Sequence, residues 1–332
     1  MDRFDDALHH LQMAVKMDPD LVYAQILFCA IHIHRGEYEE ALKRLDRAEV
    51  LSEGQERKWP RILRDKGMIY ARMKEYDKAI QCYRENWNLY QETDDMCSII
   101  EMYRLSGRFD QALEEGKNFL ASHSLDQGLD VLDEIKQTAS ILENWDLVDY
   151  CCSRDPRPFY RHFYAGRHLM YSDVCGKDTV HQALDHFLKA YEADPTALHN
   201  LLEVARLYYK LKDKQKALEF AEKVLAAVPA DFMDSGYQRA YYLARSAEAL
   251  GILGRFEEAE ERIQMALEGR KCEFCRFAGC IDAYCALVYL ACIRGDEEGA
   301  AKYQREGLAV CQHDIDLQKM PEYFMKKKGF FK

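Results

Sequence analysis

The sequence has few of the residues that interrupt helices, and it lacks the patterns that build strands. Its 332 residues include only 7 prolines and 17 glycines, and alternating runs rich in Val, Ile and Thr are absent. Such runs are the usual sequence signal of a half-buried strand. The composition therefore favours an all-α protein.

Long apolar runs and secretion signals are also missing. The longest apolar run, YCALVYLACI at 284–293, has ten residues, about half of what a transmembrane helix needs. The first residues, MDRFDDALHH, do not show the basic and then apolar pattern of a secretion signal. We therefore predict a cytoplasmic protein without a membrane span, whose twelve cysteines are reduced thiols.

The charge balance and the absent motifs exclude several function classes. The net charge is -11 and the pI is about 5.5, whereas a nucleic-acid-binding protein usually carries a basic face. Neither a phosphate-binding loop nor a G-x-S-x-G nucleophile turn nor an H-E-x-x-H zinc motif occurs. The sequence thus predicts no nucleic-acid partner and no enzyme.

One pattern recurs along the chain: an aromatic residue, two acidic or polar residues, alanine, Leu or Ile, and a large residue four positions after the alanine. It reads FDDALHHL at 4–11, YEEALKRL at 38–45 and YDKAIQCY at 76–83. The residues in the alanine position are Ala7, Ala41, Ala79, Ala112, Val148, Ala183, Ala217, Ala259 and Ala300. They are separated by 33 to 42 residues, a period that is typical of a solenoid of helix pairs.

Each position of the pattern has a physical reason. The alanine is small because two helices cross there, and the residue four positions later lies on the same helix face. Glycines stand upstream, where a left-handed turn joins the two helices of a pair. These glycines are Gly36, Gly107, Gly254 and Gly295.

The pattern resembles the tetratricopeptide repeat (TPR) family. The best unit is TALHNLLEVARLYYKLKDKQKALEFAEKVLAAVPAD, with Ala205, Tyr208, Ala217 and Pro229 in the family positions. The resemblance covers nearly the whole chain. It implies an all-α, right-handed superhelical solenoid of TPR-like helix-turn-helix repeats, about eight pairs plus an N-terminal half-repeat. This fold serves many unrelated functions.

The repeats predict four regions: an N-terminal array at 1–150, an irregular bend at 151–180, a C-terminal array at 181–320, and a basic-aromatic tail at 321–332. The chain opens with a second helix at 4–19. Either a longer protein continues upstream, or the open half-repeat pairs with another surface. Residues 121–182 lack a clear first-helix pattern, and Asp155-Pro156 and Arg157-Pro158 predict helix ends.

Four cysteines are crowded into KCEFCRFAGCIDAYC at 271–285, in the loop before the last repeat. Cys272, Cys275, Cys280 and Cys285 could together hold a structural Zn²⁺, because a C-x2-C turn can present two thiolates to one metal ion. The alternative is four reduced thiols in a packed loop, since the other two spacings are not typical of zinc sites. Apart from this Zn²⁺, no cofactor is predicted.

The resemblance further implies that the first helices line a concave groove that takes a protein or peptide partner. The groove positions hold Tyr23, Arg61, Arg64, Arg72, Arg104, His199, Arg206, Tyr209, Tyr241 and Tyr289. The four arginines between residues 61 and 104 form a basic strip. They could hold a partner's carboxylates, or they could pair with neighbouring acidic residues of the chain itself.

We therefore predict a non-catalytic scaffold that binds a protein or a peptide, with two alternatives left open. One is a zinc-stabilised module that uses the cysteine loop for recognition. The other is a peptide-sensing regulator without its DNA-binding part. The family's chaperone-binding members hold a carboxylate with Lys and Asn at paired groove positions. This clamp is not reproduced, because the paired positions hold Ile26 and Ala30, Arg64 and Met68, and Leu202 and Arg206.

Overall fold

The computed structural model describes residues 2–53, 59–171, 177–231, 239–268 and 281–324. Within these ranges the chain is all-α and contains no strand. In the described part of the chain, eight helix pairs follow a single leading helix, and one further helix comes after the last pair. This confirms the predicted fold class of about eight pairs plus a half-repeat.

The helices are α1 (Asp2–Met17), α2 (Val22–Arg35), α3 (Tyr38–Ser52), α4 (Pro60–Arg72), α5 (Tyr76–Tyr90), α6 (Thr93–Leu105), α7 (Phe109–Ser122), α8 (Leu129–Ile141), α9 (Trp145–Arg154), α10 (Pro158–Tyr171), α11 (Lys177–Ala193), α12 (Leu198–Lys210), α13 (Lys214–Ala227), α14 (Arg239–Ile252), α15 (Phe256–Glu268), α16 (Ile281–Arg294), α17 (Glu297–Val310) and α18 (Ile315–Phe324). Even-numbered helices from α2 to α16 are the first helices of pairs. The odd-numbered helices from α3 to α17 are the second helices.

The chain forms two compact units, Met1–Glu134 and Ile135–Lys332, and the division falls within α8. Unit 1 holds the first three helix pairs. Unit 2 holds the pairs from α10 to α17 and the final helix α18. The boundary that the sequence predicted at residue 150 lies within α9.

The turns between paired helices follow the glycine pattern. Gly36, Gly107, Gly254 and Gly295 have φ angles of 74° to 78°, a region that glycine adopts without strain. Three other pairs use a residue that the pattern did not single out, with positive φ at Lys74, Glu143 and Lys212. The turn geometry is thus kept even where glycine is absent.

The helix crossings confirm the role of the small residues. The alanines of the repeat that the structure describes with side chains, from Ala41 to Ala300, are at most 1% exposed, and so is Val148. In unit 1, a Cβ added at Gly67 of α4 would lie 2.8 Å from the Tyr83 ring of α5. In unit 2, a Cβ at Gly166 of α10 would lie 2.9 Å from the Phe187 ring of α11. Each small residue therefore fits a large one on the partner helix.

The segment predicted to be an irregular bend contains a regular first helix, α10, at Pro158–Tyr171, while residues 172–176 lie outside the described residues and the bend stays a prediction. The predicted helix ends are present, because α9 ends at Arg154 and α10 begins at Pro158. Proline is well suited to the first position of a helix, so Pro158 starts α10. This helix packs along α11 as the first helix of a pair. The aromatic-rich sequence of α10 hid its repeat pattern.

The leading helix α1 packs on α2. Its side chains are described from residue 8 onward, and Met13 and Met17 of this helix are 45% and 85% exposed. Ala7, which carries the repeat pattern in α1, lies outside the described side chains. The predicted pairing through this half-repeat stays a prediction.

Candidate functional site

The predicted groove residues of unit 1 begin with two equivalent, exposed side chains. Tyr23 and Arg61 are the second residues of α2 and α4. Tyr23 is 47% exposed, and the Arg61 side chain is 51% exposed and donates from Nε to Asp65 Oδ2 over 3.1 Å. Both side chains can be reached from solvent at the start of a first helix.

Two other arginines connect successive first helices of unit 1. Arg64 of α4 donates to Glu92, the residue before α6, and from Nε to Asp95 Oδ1 of α6 over 3.3 Å. Arg104 of α6 donates from Nη2 to Glu134 Oε2 of α8 over 3.1 Å. These two side chains pair with carboxylates of the chain itself, as one of the two sequence interpretations expected.

Arg72 has a different environment at the end of α4. Its Nη2 lies 3.7 Å from the sulfur of Met68, and no carboxylate of the described residues forms an ion pair with it. Burial raises the pKa of the nearby Asp65 carboxyl, while Arg61, Arg64 and Arg72 oppose the rise. Among the described residues, Arg72 therefore carries a positive charge on the first-helix side without a dedicated ion pair.

Three predicted groove residues of unit 2 lie at intermediate depth or at the surface. Tyr209 of α12 is 37% exposed. Tyr241 of α14 is partly buried, and the centre of its ring lies 5.5 Å from the Arg245 guanidinium. His199 packs edge-on against the Phe163 ring, with centroids 4.7 Å apart. Burial, together with Arg245 and Arg167, lowers the pKa of His199 to about 4, so the imidazole is neutral at pH 7.

Arg206 and Tyr289 do not line an open groove, which corrects the sequence prediction for these two residues. Both are 0% exposed, and the Arg206 guanidinium lies 5.0 Å from the centre of the Tyr289 ring. Arg206 donates from Nη1 to Glu203 Oε1 over 2.7 Å and from Nε to Glu248 Oε2 over 2.9 Å.

This buried network continues along unit 2. Arg245 of α14 donates to Glu248 over 3.4 Å and to Asp282 of α16 over 2.6 Å. The network therefore joins the first helices α12, α14 and α16 through two arginines and three carboxylates. Removing one partner would leave a charge buried without compensation, which costs about 3–5 kcal/mol.

The first-helix side of unit 2 is covered by α18. Asp316 of α18 pairs with Arg167 of α10, with Nη2 to Oδ1 at 2.7 Å, and accepts from the Tyr171 hydroxyl at 2.6 Å. The Phe324 ring packs edge-on against Tyr289 of α16 at 5.1 Å. Arg167 and Asp316 were missed by sequence reasoning, because they are 149 residues apart and no local pattern connects them.

The cysteine stretch is described only from α16 onward. Cys272, Cys275 and Cys280 lie outside the described residues. Cys285 is 2% exposed, and its Sγ lies 3.9 Å from Asp314 Oδ1. In the part of the chain that the structure describes, no three His, Cys, Asp or Glu side chains are grouped so that they could hold a metal ion. The zinc site stays a prediction.

The structure consists of helix pairs that cross at a repeated small residue, with the first helices of successive pairs side by side. This arrangement is typical of a class of solenoid proteins that act as protein-interaction scaffolds. Models of the tetratricopeptide repeat match residues 1–51, 61–85 and 198–231. The chain therefore contains tetratricopeptide repeats at these positions. Among the described helices, none is both long enough and apolar enough to span a membrane.

Similar proteins include the Hsp70-Hsp90 organizing protein 2 of Arabidopsis thaliana. It is 22% identical over 235 residues, which are 68% of this chain and 39% of that protein. This chain therefore spans well under half of its relative. Among solved structures, the APC/C hetero-tetramer Cut9-Hcn1 is 12% identical with a TM-score of 0.43, over 98% of this chain and 60% of that chain. A tetratricopeptide repeat protein of Parabacteroides merdae is 13% identical with a TM-score of 0.38, over 92% of this chain and 99% of that chain.

Proposed function

We propose that this chain is a non-catalytic scaffold, and that the first-helix side of unit 1 binds an extended segment of a partner protein through its acidic side chains. The observation that carries the proposal is the state of Arg61 and Arg72 on α4. Arg61 is half exposed although it pairs with Asp65 on its own helix, and Arg72 forms no ion pair with a described carboxylate. Guanidinium groups bind carboxylates with two parallel hydrogen bonds, so these two positions offer anchors to a partner.

The other two arginines of the strip have a supporting part in this proposal. Arg64 and Arg104 hold α4, α6 and α8 together through Glu92, Asp95 and Glu134. They fix the spacing of the first helices rather than contact the partner. Tyr23, exposed at the equivalent position of α2, adds an aromatic contact surface, a residue type that is enriched at protein interfaces.

The name of the Arabidopsis relative, Hsp70-Hsp90 organizing protein 2, does not by itself identify the partners of this chain. In the family's chaperone-binding members a Lys and an Asn at fixed groove positions hold a C-terminal carboxylate. Here Ile26 takes one of these positions and is 1% exposed, and Arg64 takes another and is paired within the chain. We therefore propose acidic side chains, rather than a chaperone C-terminus, as the feature that unit 1 recognises.

Selection from a random dodecapeptide library tests this function. The full chain should enrich peptides with two or more Asp or Glu residues. A chain with Arg61→Gln and Arg72→Gln should lose this enrichment, and its affinity for the selected peptides should fall at least tenfold. Glutamine keeps most of the side-chain length without adding a negative charge beside Asp65.

Arg47→Gln is the matched control. Arg47 is 52% exposed and pairs with Asp20, so its exposure is close to that of Arg61. It lies on a second helix, α3, rather than on a first helix. The control should leave the selection unchanged. Equal enrichment with the wild type and the double variant would contradict the proposal.

A further inference from the structure

The last helix of the chain packs on α16 and α17 and reaches the first helices α10 and α12 of unit 2. Asp316 pairs with Arg167 of α10, the Tyr323 carbonyl accepts from Lys210 of α12, and Phe324 packs on Tyr289 of α16. Beyond α10, Lys319 pairs with Glu143 in the turn between α8 and α9, over 2.6 Å. The helix thus covers the side of unit 2 that corresponds to the proposed binding side of unit 1.

The contacts of α18 follow a simple sequence pattern. Asp316 is followed by buried apolar residues one, four and seven positions later. Leu317 and Met320 are 0% exposed and Tyr323 is 6% exposed, whereas Glu322 faces solvent. This spacing places the apolar residues on one face of a helix. The groove therefore recognises an acidic residue at the start of an amphipathic helix.

Contacts with the rest of unit 2 stabilise α18, because the helix would be marginally stable on its own. It has ten residues and contains Pro321, and isolated helices of that length are marginal in water. Proline has no N–H to donate to the carbonyl four residues earlier. Gln304 of α17 replaces this donor, with Nε2 to the Leu317 carbonyl at 2.8 Å. A segment that offers the same contacts can therefore replace α18.

Charge complementarity defines what the groove accepts. Arg206 and Arg245 are matched by Glu203, Glu248 and Asp282 on the first helices themselves. Arg167, in contrast, has its ion pair with Asp316 of α18. When α18 leaves, the network on α12, α14 and α16 keeps its partners, and Arg167 is left to bind an incoming carboxylate.

The chain's own helix is not an optimal ligand. Asp314 and Asp316 are two residues apart, and Asp314 Oδ1 lies 3.9 Å from Cys285 Sγ. Burial and the neighbouring Asp316 raise the pKa of Asp314 to about 7, and Asp282 adds to the rise, while a hydrogen bond from the Leu317 N–H, over 2.9 Å, and Arg167 oppose it. At neutral pH the second carboxylate therefore weakens the docking of α18. A partner with one acidic residue avoids this repulsion.

We propose that the first helices of unit 2, together with α17, form a second binding site, for a partner helix with one acidic residue followed by large apolar residues one, four and seven positions later. In this proposal α18 is an intramolecular ligand that covers the site until such a helix displaces it. The proposal rests on the function of the chain as a binding scaffold. It concerns unit 2 alone, so a negative peptide selection on Arg61 and Arg72 of unit 1 leaves it standing.

Competition by a labelled peptide tests this proposal with the full chain. The probe is a fluorescein-labelled peptide of the chain's own residues 312–324, QHDIDLQKMPEYF. Wild-type protein should bind it weakly, because α18 occupies the site. A chain with Leu317→Ala and Met320→Ala should bind it at least tenfold more tightly, since its own helix has lost two buried anchors.

Three controls define the recognition. The same peptide with Asp316→Lys should not bind. Arg167→Ala in the Leu317→Ala/Met320→Ala chain should weaken binding at least tenfold. Arg255→Ala, which changes an exposed arginine on the turn before α15, should have no effect.

A milder variant keeps the test decisive if the double variant unfolds unit 2. Asp316→Asn keeps the shape of the side chain and removes only the charge that Arg167 binds. This chain should bind the labelled peptide at least threefold more tightly than wild type. Equal affinity of the peptide for wild type and Asp316→Asn, or no binding to either, would overturn the proposal.

Discussion

The crossing of α4 and α5 at Gly67 gives a quantitative test of the helix-pair packing. The change is Gly67→Ala, which adds one methyl group. Its carbon would lie 2.8 Å from Cε1 and Cζ of Tyr83 and 3.1 Å from Cδ1. Tyr83 is 1% exposed and packs in a core with Ile99 and Met102, so its ring cannot swing into solvent.

Two opposing effects set the expected magnitude. Alanine in place of glycine within a helix stabilises by up to about 1 kcal/mol. Overpacking of a well-filled core costs about 1–3 kcal/mol. Because three ring atoms are involved and the ring is enclosed, we expect overpacking to dominate, with a net loss of about 1–2 kcal/mol. For a unit of this size 1 kcal/mol corresponds to about 4 °C in Tm.

A double-mutant cycle with Tyr83→Leu separates the two effects. Tyr83→Leu removes the ring, so Gly67→Ala should become neutral or stabilising by up to about 1 kcal/mol in that background. The four proteins are compared by thermal and urea unfolding, followed by circular dichroism. Gly166→Ala opposite Phe187 repeats the test in unit 2. A neutral or stabilising effect of Gly67→Ala in the wild type would refute the crossing at Gly67.

Three further predictions concern buried charges and the cysteine loop. Asp314 has a pKa of about 7 in the folded chain and 3.8 as its ordinary value, so the folded state holds a proton that the unfolded chain releases. The free energy of unfolding of the wild type should therefore fall as pH rises from about 4 to 7, by about 1.4 kcal/mol for each unit by which the two pKa values differ. Asp314→Asn should reduce this pH dependence in thermal melts recorded from pH 4 to 8. Arg206→Met should lower the free energy of unfolding by about 3–5 kcal/mol in urea titrations, because two carboxylates stay buried, whereas Arg255→Ala should cost less than about 1 kcal/mol. A zinc site predicts about one zinc per chain by elemental analysis, lost in Cys272→Ser; protein without zinc, with all thiols titrating after denaturation, would exclude it.

Features that depend on local sequence could be predicted. The turn glycines from Gly36 to Gly295 have the expected positive φ, and the described alanines of the repeat are buried at helix crossings. Each of these requirements acts within one helix pair, so about 34 residues carry the whole signal. The helix α10 was missed because its sequence, PFYRHFYAGRHLMY, is rich in aromatic residues.

Features that depend on distant parts of the chain could not be predicted. The burial of Arg206 and Tyr289 follows from the way α12, α14 and α16 come together under α18. The Arg167–Asp316 pair joins residues 149 positions apart. The sequence predicted the groove positions from the repeat alone, and a repeat pattern does not indicate which groove the chain covers with its own terminal helix.

The docking of α18 on the first helices of unit 2 is the contact that most needs a direct measurement. Photo-cross-linking from benzoylphenylalanine placed at Phe324 in the full chain reports the neighbours of this side chain. Cross-links to peptides that contain Tyr289 of α16 or Lys210 of α12 are expected, because both lie within 6 Å of the Phe324 ring. Cross-links confined to α17, or only between separate chains, would contradict the covered groove.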